Sequence, residues 1–208
     1  MIGARLPLAL ETGGLTAPTG RIAVFHPSLE ANLRSLPMEQ CEIIQPFRPA
    51  YDVFKSAGYN CAVEPTERYA MSIICLPRAK AEARSIIAKA AACTDGPIII
   101  DGQKTEGVDS IFKDLCKRGD VSATISKAHG KLFWINSHDG LKDWAQAPTL
   151  TEGGFWTGPG VFSADGVDPA SELLAQALPE KLGKNVADLG AGWGYLSAHA
   201  LSRGINEI

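Results

Sequence analysis

Residues 71–101 read MSIICLPRAKAEARSIIAKAAACTDGPIIID, and this stretch decides the fold. The apolar runs 71–76 and 97–101 are continuous, which is the pattern of strands buried on both faces of a parallel sheet. Between them, from 78 to 93, alanine and isoleucine recur at helical spacing. A strand, a helix and a second strand in this order predict one βαβ unit with the two strands in the same sheet.

The same alternation extends on both sides of this unit. Toward the N-terminus, three short apolar runs predict strands, and two segments with leucine or phenylalanine at helical spacing predict helices. Toward the C-terminus, a helix is followed by two runs that face each other as a β-hairpin. The predicted strands are 21–25, 42–45, 61–63, 121–126 and 131–136, and the predicted helices are 28–36, a segment after Pro49, and 106–118. We therefore predict an α/β domain over residues 1–145, with a mostly parallel, Rossmann-like sheet that closes with an antiparallel hairpin.

The composition excludes several classes of protein. Of the 208 residues, 45% are hydrophobic and 21% are charged, with a net charge of −3, so the chain is globular and carries no global basic field for nucleic acid. No apolar run approaches the roughly 20 residues that span a bilayer, and the N-terminus lacks a signal-peptide pattern. The five cysteines are odd in number and lack zinc-site spacing, which predicts a reduced, cytoplasmic compartment and no metal.

Residues 137–169 differ in character from the rest of the chain. They are rich in glycine, proline and large aromatic residues, and they exceed the roughly 12–15 residues of an ordinary loop within one domain. We interpret 146–170 as an interdomain linker, part of which pairs as an edge strand. A helix from Asp168 and a strand at 185–189 then begin a second unit, residues 171–208.

Residues 186–196 read VADLGAGWGYL and carry the main motif. Glycine permits a tight turn and lets the backbone approach a ligand closely, and the following helix offers free N–H groups. The dinucleotide fingerprint requires glycine or alanine at Tyr195, and no Gly-Lys-Ser/Thr ending of a phosphate-binding loop is present. A generic turn between a strand and a helix is the alternative interpretation.

The pattern acid-x-Gly-x-Gly-x-Gly resembles motif I of the class I S-adenosylmethionine (SAM) methyltransferases, whose sheet also closes with an antiparallel hairpin. In that family the glycine loop lies against the methionine part of SAM, and the acid is near its amino group. The resemblance thus implies that SAM is the cofactor and that its binding residues are Asp188, Gly190, Ala191, Gly192 and Gly194.

The residues that precede the motif narrow the resemblance to one group of methyltransferases. Residues 158–163 (GPGVFS) and 165–168 (DGVD), followed by motif I, look like the beginning of the catalytic domain of two-domain rRNA guanine-N2 methyltransferases, which act on 16S rRNA. Residues 69–114 resemble the first domain of the same family. This resemblance implies that Phe162 and Ser163 lie beside the cofactor and that ribosomal RNA or the small ribosomal subunit is the partner.

The first domain lacks these features at the matching positions. The strand 21–25 is followed by His-Pro-Ser without a glycine, and the strand 71–76 is followed by Pro-Arg where the family's active domain has Asn-Pro-Pro and an aromatic residue. The resemblance implies a degenerate methyltransferase-like domain that assists RNA recognition or folding. Two helices carry basic residues that either form solvated faces or contact rRNA phosphates, namely Arg78, Lys80, Arg84 and Lys89 on one and Lys113, Lys117 and Arg118 on the other.

Few residues follow Gly194, whereas the family's ribose-binding acid and its Asn-Pro-Pro loop come later in the chain. We therefore expect an incomplete, inactive chain in which no catalytic residue can be named. Two other functions remain open at this point. The chain is alternatively a non-enzymatic RNA- or protein-binding module, or part of a class I methyltransferase with another substrate, such as a release-factor glutamine or a small molecule.

Overall fold

The structure is a computed structural model that describes residues 2–12, 14–136, 139–205 and 207–208. The chain divides into two compact units, Met1–Ala145 and Gln146–Ile208. Within the described residues, no helix has the length and apolar character needed to cross a membrane.

The first unit is built on one seven-stranded sheet. Its strands are β1 (Ile22–Phe25), β2 (Cys41–Ile44), β3 (Asn60–Ala62), β4 (Met71–Cys75), β5 (Ile98–Gln103), β6 (Ile125–Lys127) and β7 (Gly130–Ile135). They lie in the order β3-β2-β1-β4-β5-β7-β6. The first five strands are mutually parallel, and β7 pairs antiparallel with both β5 and β6. The predicted fold class, a mostly parallel sheet closed by an antiparallel hairpin, is confirmed.

Helices cover both faces of this sheet. In the first unit they are α1 (Leu6–Glu11), α2 (Arg48–Ser56), α3 (Lys80–Cys93) and α4 (Val108–Cys116). The side chains of β5 alternate between two apolar cores: Ile98 and Ile100 pack with residues of α3 and α4, whereas Ile99 packs in the core that contains Leu6 of α1. This burial on both faces explains why the strand reads as a continuous apolar run.

An ion pair fastens the N-terminal segment to the sheet. The Arg5 guanidinium is fully buried and donates two hydrogen bonds to the Asp101 carboxylate, from Nε to Oδ1 at 2.6 Å and from Nη2 to Oδ2 at 2.8 Å. Its Nη1 donates to the Lys127 carbonyl at 2.8 Å. Arg5 therefore joins α1 to the carboxyl end of β5 and to the closing hairpin.

The predicted helix at 28–36 is wrong, because these residues form turns. Leu33 and Leu36 are buried as expected, but Leu29 is 55% exposed. The Asn32 side chain accepts a hydrogen bond from the Arg34 backbone N–H, and such local bonds compete with helical ones.

The second unit contains two helices and one small sheet. The helices are α5 (Pro169–Ala177) and α6 (Tyr195–Leu201), and strands β8 (Thr149–Leu150) and β9 (Trp156–Thr157) pair antiparallel with each other. The edge strand predicted in the linker thus pairs within its own segment. The strand predicted at 185–189 does not form; Asn185 makes an isolated parallel bridge to Glu207. A strand needs a partner along its length, and here the described backbone offers that partner at one position.

Candidate functional site

The glycine turn before α6 is defined by its backbone conformation. Gly190, Gly192 and Gly194 have φ values of +85°, +58° and +91°, in the left-handed region that favours glycine. A Cβ at Gly190 or Gly194 would meet no atom within 4 Å. Backbone conformation, and not crowding, therefore requires glycine here, and the turn presents bare backbone to an approaching ligand.

An open cavity in the second unit brings two distant segments together. Five of the seven predicted cofactor residues line it: Phe162 and Ser163 from one segment, and Gly190, Ala191 and Gly192 from the glycine turn. Asp188 and Gly194 are not in its lining. The other lining residues are Asp168, Ser171, Trp193, Tyr195 and Leu196. Of these, the sequence did not point to Asp168, Ser171, Tyr195 and Leu196 as cofactor contacts.

The Asp188 carboxylate is held from α6. The Ser197 hydroxyl donates to Asp188 Oδ2 at 2.7 Å, which fixes the orientation of the half-buried acid. An acid fixed next to the bare backbone of the turn suits a ligand that carries a cationic amine. The role of Asp188 toward SAM stays a prediction.

Asp168 and Ser163 shape the other side of the cavity. Asp168 is the N-cap of α5, and its Oδ2 accepts from the Ser171 N–H at 2.9 Å and from the Ser171 hydroxyl at 3.1 Å. The Asp-Pro-x-Ser sequence is a helix-start pattern, so the cap was readable from the sequence. Ser163 has a φ of +52°, and its hydroxyl donates to the Gly166 carbonyl at 2.7 Å.

Trp193, between two glycines of the turn, contacts the segment that carries Phe162. Its indole Nε1 donates to the Phe162 carbonyl at 3.0 Å. The Trp193 ring lies 4.8 Å from that of Phe155 and 5.6 Å from that of Tyr195, measured between centroids. The indole is thus held both by a hydrogen bond and by aromatic packing.

In the first unit, the edge of the sheet at the carboxyl ends of the parallel strands carries a different set of side chains. A cavity at the carboxyl ends of β1, β4 and β5 is lined by His26, Glu30, Cys75, Asp101 and Glu106, among others, with no glycine turn. Burial and the nearby Lys89 lower the pKa of His26 to about 4 against the opposing effect of Glu64, so this imidazole is neutral at pH 7. The first unit therefore presents no second copy of the glycine-turn site at this edge.

Ion pairs engage several of the basic residues that were candidates for phosphate contact. Lys80 and Arg84 both pair with Asp114, at 2.8 and 2.6 Å. Lys89 pairs with Glu64, and Arg118 pairs with Asp143, each at 2.6 Å. This pairing favours the interpretation of solvated helix faces. Within the described ranges, no group of three or more His, Cys, Asp or Glu side chains is arranged to hold a metal ion.

A family match and a solved structure show which fold the chain resembles. The family described as "Methyltransferase small domain" matches residues 152–207, the region of the glycine turn. Among solved structures, the T. thermophilus 16S rRNA N2 G1207 methyltransferase, in complex with AdoMet and guanosine, superposes with a TM-score of 0.74 at 24% identity, over 93% of this chain and 59% of that one. The fold is that of the class I methyltransferases.

Curated relatives narrow the similarity to one kind of methyltransferase. The ribosomal RNA small subunit methyltransferase C of Vibrio parahaemolyticus is 30% identical over 177 residues, which cover 76% of this chain and 52% of the relative. That of Vibrio vulnificus is 27% identical over 184 residues, or 79% of this chain and 54% of the relative. The chain spans about half the length of the curated relatives it matches. It is a homologue of these SAM-dependent rRNA methyltransferases over roughly their N-terminal half.

Proposed function

We propose that a protein carrying this chain transfers a methyl group from SAM to the exocyclic amine of a guanine in small-subunit ribosomal RNA, in the cytoplasm. One observation carries the proposal: the cavity joins Phe162 and Ser163 to the glycine turn, and residues far apart in sequence thus form one site. Homology to rRNA small subunit methyltransferases supplies the substrate class.

The residues present fit SAM. The turn offers bare backbone at Gly190 and Gly192, and Asp188 offers a fixed carboxylate for the amino group. Bound there, SAM would supply an electrophilic methyl group on a sulfonium. The chain's own contribution is to hold the methionine part against the turn, while Phe162 and Ser163 border the other side. Methyl transfer then depends on the placement of the amine in line with that methyl group.

We also propose that these 208 residues by themselves neither bind SAM tightly nor catalyse the transfer. In support, residues 185–189 make a single bridge in place of a strand, so within the described residues no sheet holds the turn rigid. Isothermal titration with S-adenosylhomocysteine tests this proposal, and micromolar binding by the 208-residue chain would contradict it.

The activity is tested with a longer protein that contains this chain. We expect it to transfer radiolabelled methyl groups from SAM to guanine in small ribosomal subunits or 16S rRNA prepared from cells that lack the gene, and to leave wild-type subunits unlabelled. Label in a release factor or a small molecule, with none in rRNA, would establish the alternative of a methyltransferase with another substrate.

A binding module is the second candidate function. The first unit supports it, because its described residues form a seven-stranded sheet with an apolar core on each face and, at the sheet edge lined by His26 and Asp101, no glycine turn. A gel shift of residues 1–145 with ribosomal RNA across a salt series tests it, since phosphate contacts make binding fall steeply with salt. The ion pairs of Lys80, Arg84 and Lys89 lead us to expect weak binding.

A further inference from the structure

We propose that Trp193 is a positioning residue for the cofactor. Its indole N–H fastens the segment 158–163 to the glycine turn and thereby sets the distance between the two sides of the cavity. This inference rests on the proposed function, because it concerns the same SAM site.

The hydrogen bond from Trp193 joins two segments that are distant in sequence. Nε1 donates to the Phe162 carbonyl at 3.0 Å across 31 positions. An indole nitrogen donates only, so the bond has one direction, and a phenylalanine ring in its place cannot make it. The rings of Phe155 and Tyr195 fix the plane of the indole and aim the N–H at the carbonyl.

The segment that receives this bond needs an anchor. Ser163, next to Phe162, has a φ of +52°, a conformation that a non-glycine residue adopts only when its surroundings hold it there. The Phe162 side chain is 67% exposed, so burial of its ring does not fix it. The bond from the Trp193 indole to the Phe162 carbonyl therefore links this segment directly to the glycine turn.

Trp193 is not simply a core residue. It is half-buried, it lines the cavity, and it stands between Gly192 and Gly194 in a turn whose backbone does not require a bulky side chain. When the N–H is lost, ligand binding must also order the 158–163 segment, and that ordering weakens affinity. The loss falls equally on substrate and transition state, which raises KM and leaves kcat unchanged.

The test uses a longer protein that contains this chain, with Trp193→Phe as the variant and Trp156→Phe as the matched control. Trp193→Phe keeps an aromatic ring against Phe155 and Tyr195 and removes the donor. Trp156 lies in the same unit and is 66% exposed, so it undergoes the same chemical change without this role. We expect Trp193→Phe to raise the Kd of S-adenosylhomocysteine and the KM for SAM roughly 3- to 10-fold, as for one lost hydrogen bond. The kcat at saturating SAM and the melting temperature stay at wild-type values, and the control behaves as wild type.

The outcomes separate this inference from the proposed function. If the wild-type protein binds no S-adenosylhomocysteine, the proposed function fails and the role of Trp193 falls with it. If the wild type binds and Trp193→Phe binds equally well, only the positioning role is overturned. A variant that loses kcat and melting temperature together with affinity shows a structural role and also overturns the proposal. A ¹⁵N spectrum gives an independent check: the Trp193 indole N–H signal, assigned by its loss in Trp193→Phe, is expected to shift on ligand binding, and an unmoved signal contradicts the proposal.

Discussion

Arg5 is a charged residue with no exposed surface, and its guanidinium pairs with the buried carboxylate of Asp101. Removal of one member of such a pair leaves an uncompensated buried charge. We therefore expect Asp101→Asn to lower the free energy of unfolding by about 3–5 kcal/mol, measured by urea denaturation of the chain. The exposed pair of Arg48 and Asp52 supplies the control, because Asp52→Asn should leave the urea midpoint nearly unchanged. Equal effects of the two variants would contradict the prediction.

His26 makes stability depend on pH. Burial holds its folded pKa at about 4, below the ordinary 6.5, so the unfolded chain takes up a proton first as the pH falls. The contribution of His26 to folding stability is fully present above pH 6.5 and is lost as the pH falls from 6.5 to 4. Over that range we expect the free energy of unfolding to fall by about 3 kcal/mol.

The matched variant for this pH prediction is His26→Asn. Asparagine tolerates the left-handed backbone at this position, where φ is +51°, and it does not titrate. Glu82 Oε1 lies 3.7 Å from Nδ1 of the imidazole, and burial raises the pKa of Glu82, so the titration of this acid changes stability in the opposite sense. The wild type and His26→Asn are therefore compared by the free energy of unfolding at each pH, because Glu82 is present in both proteins. Parallel pH profiles of the two proteins would rule the prediction out.

At the scale of elements, the glycine turn offers a test of backbone conformation without steric change. Gly194 precedes α6 with a φ of +91°, and a Cβ there would meet no atom within 4 Å. Gly194→Ala therefore costs roughly 1–2 kcal/mol of backbone strain. In a longer protein that binds SAM, we expect the Kd of S-adenosylhomocysteine to rise about 5- to 30-fold if that strain falls on the bound turn. Gly183→Ala is the control, because its Cβ makes ordinary contact and its φ is outside the left-handed region. Equal Kd values for the two variants would contradict this prediction.

Sequence patterns correctly predicted the elements that can be identified from the spacing of their own apolar side chains. The strands β4 and β5 and the helix α3 between them lie within two residues of the predicted bounds. A strand buried on both faces has a continuous apolar run, and a helix buried on one face has apolar residues at helical spacing, so both patterns are visible in the sequence. The pattern failed where local side-chain hydrogen bonds or long-range partners decide the backbone conformation. Residues 28–36 have helical spacing but form turns, and residues 185–189 have strand composition but pair at one position.

The candidate site was predictable to a similar degree. The glycines of the turn were readable, since their φ values require that residue type. The hydrogen bonds from Ser197 to Asp188 and from Trp193 to Phe162 were not, because no local rule links residues that are 9 and 31 positions apart. Arg5 was missed for the same reason: its partner Asp101 lies 96 positions away.

At the scale of the whole molecule, the two units differ in how much of their backbone is hydrogen-bonded between strands. The first unit pairs seven strands in one sheet, whereas the second contains a two-stranded sheet and a bridge. The basic side chains Lys80, Arg84 and Lys89 of α3 pair with Asp114 and Glu64, which are acids of the first unit. A unit with paired strands and self-paired charges is expected to be stable by itself, and the proposed cofactor site lies in the second unit.

This difference predicts that residues 1–145 fold alone, and Trp144 sets where the fragment must end. Trp144 and Leu141 are buried in the core that contains α3, and the guanidinium groups of Arg84 and Arg118 lie 5.2 and 4.8 Å from the Trp144 ring centroid. We expect fragment 1–145 to unfold cooperatively in urea, followed by circular dichroism. Fragment 1–136 lacks both side chains and should be less stable by at least about 3 kcal/mol, as for truncation of a large buried aromatic residue. Trp144→Ala in the longer fragment should reproduce most of that loss, which separates the effect of the ring from that of chain length. If the two fragments have the same urea midpoint, the first unit does not need residues 137–145, and its boundary lies earlier than this packing indicates.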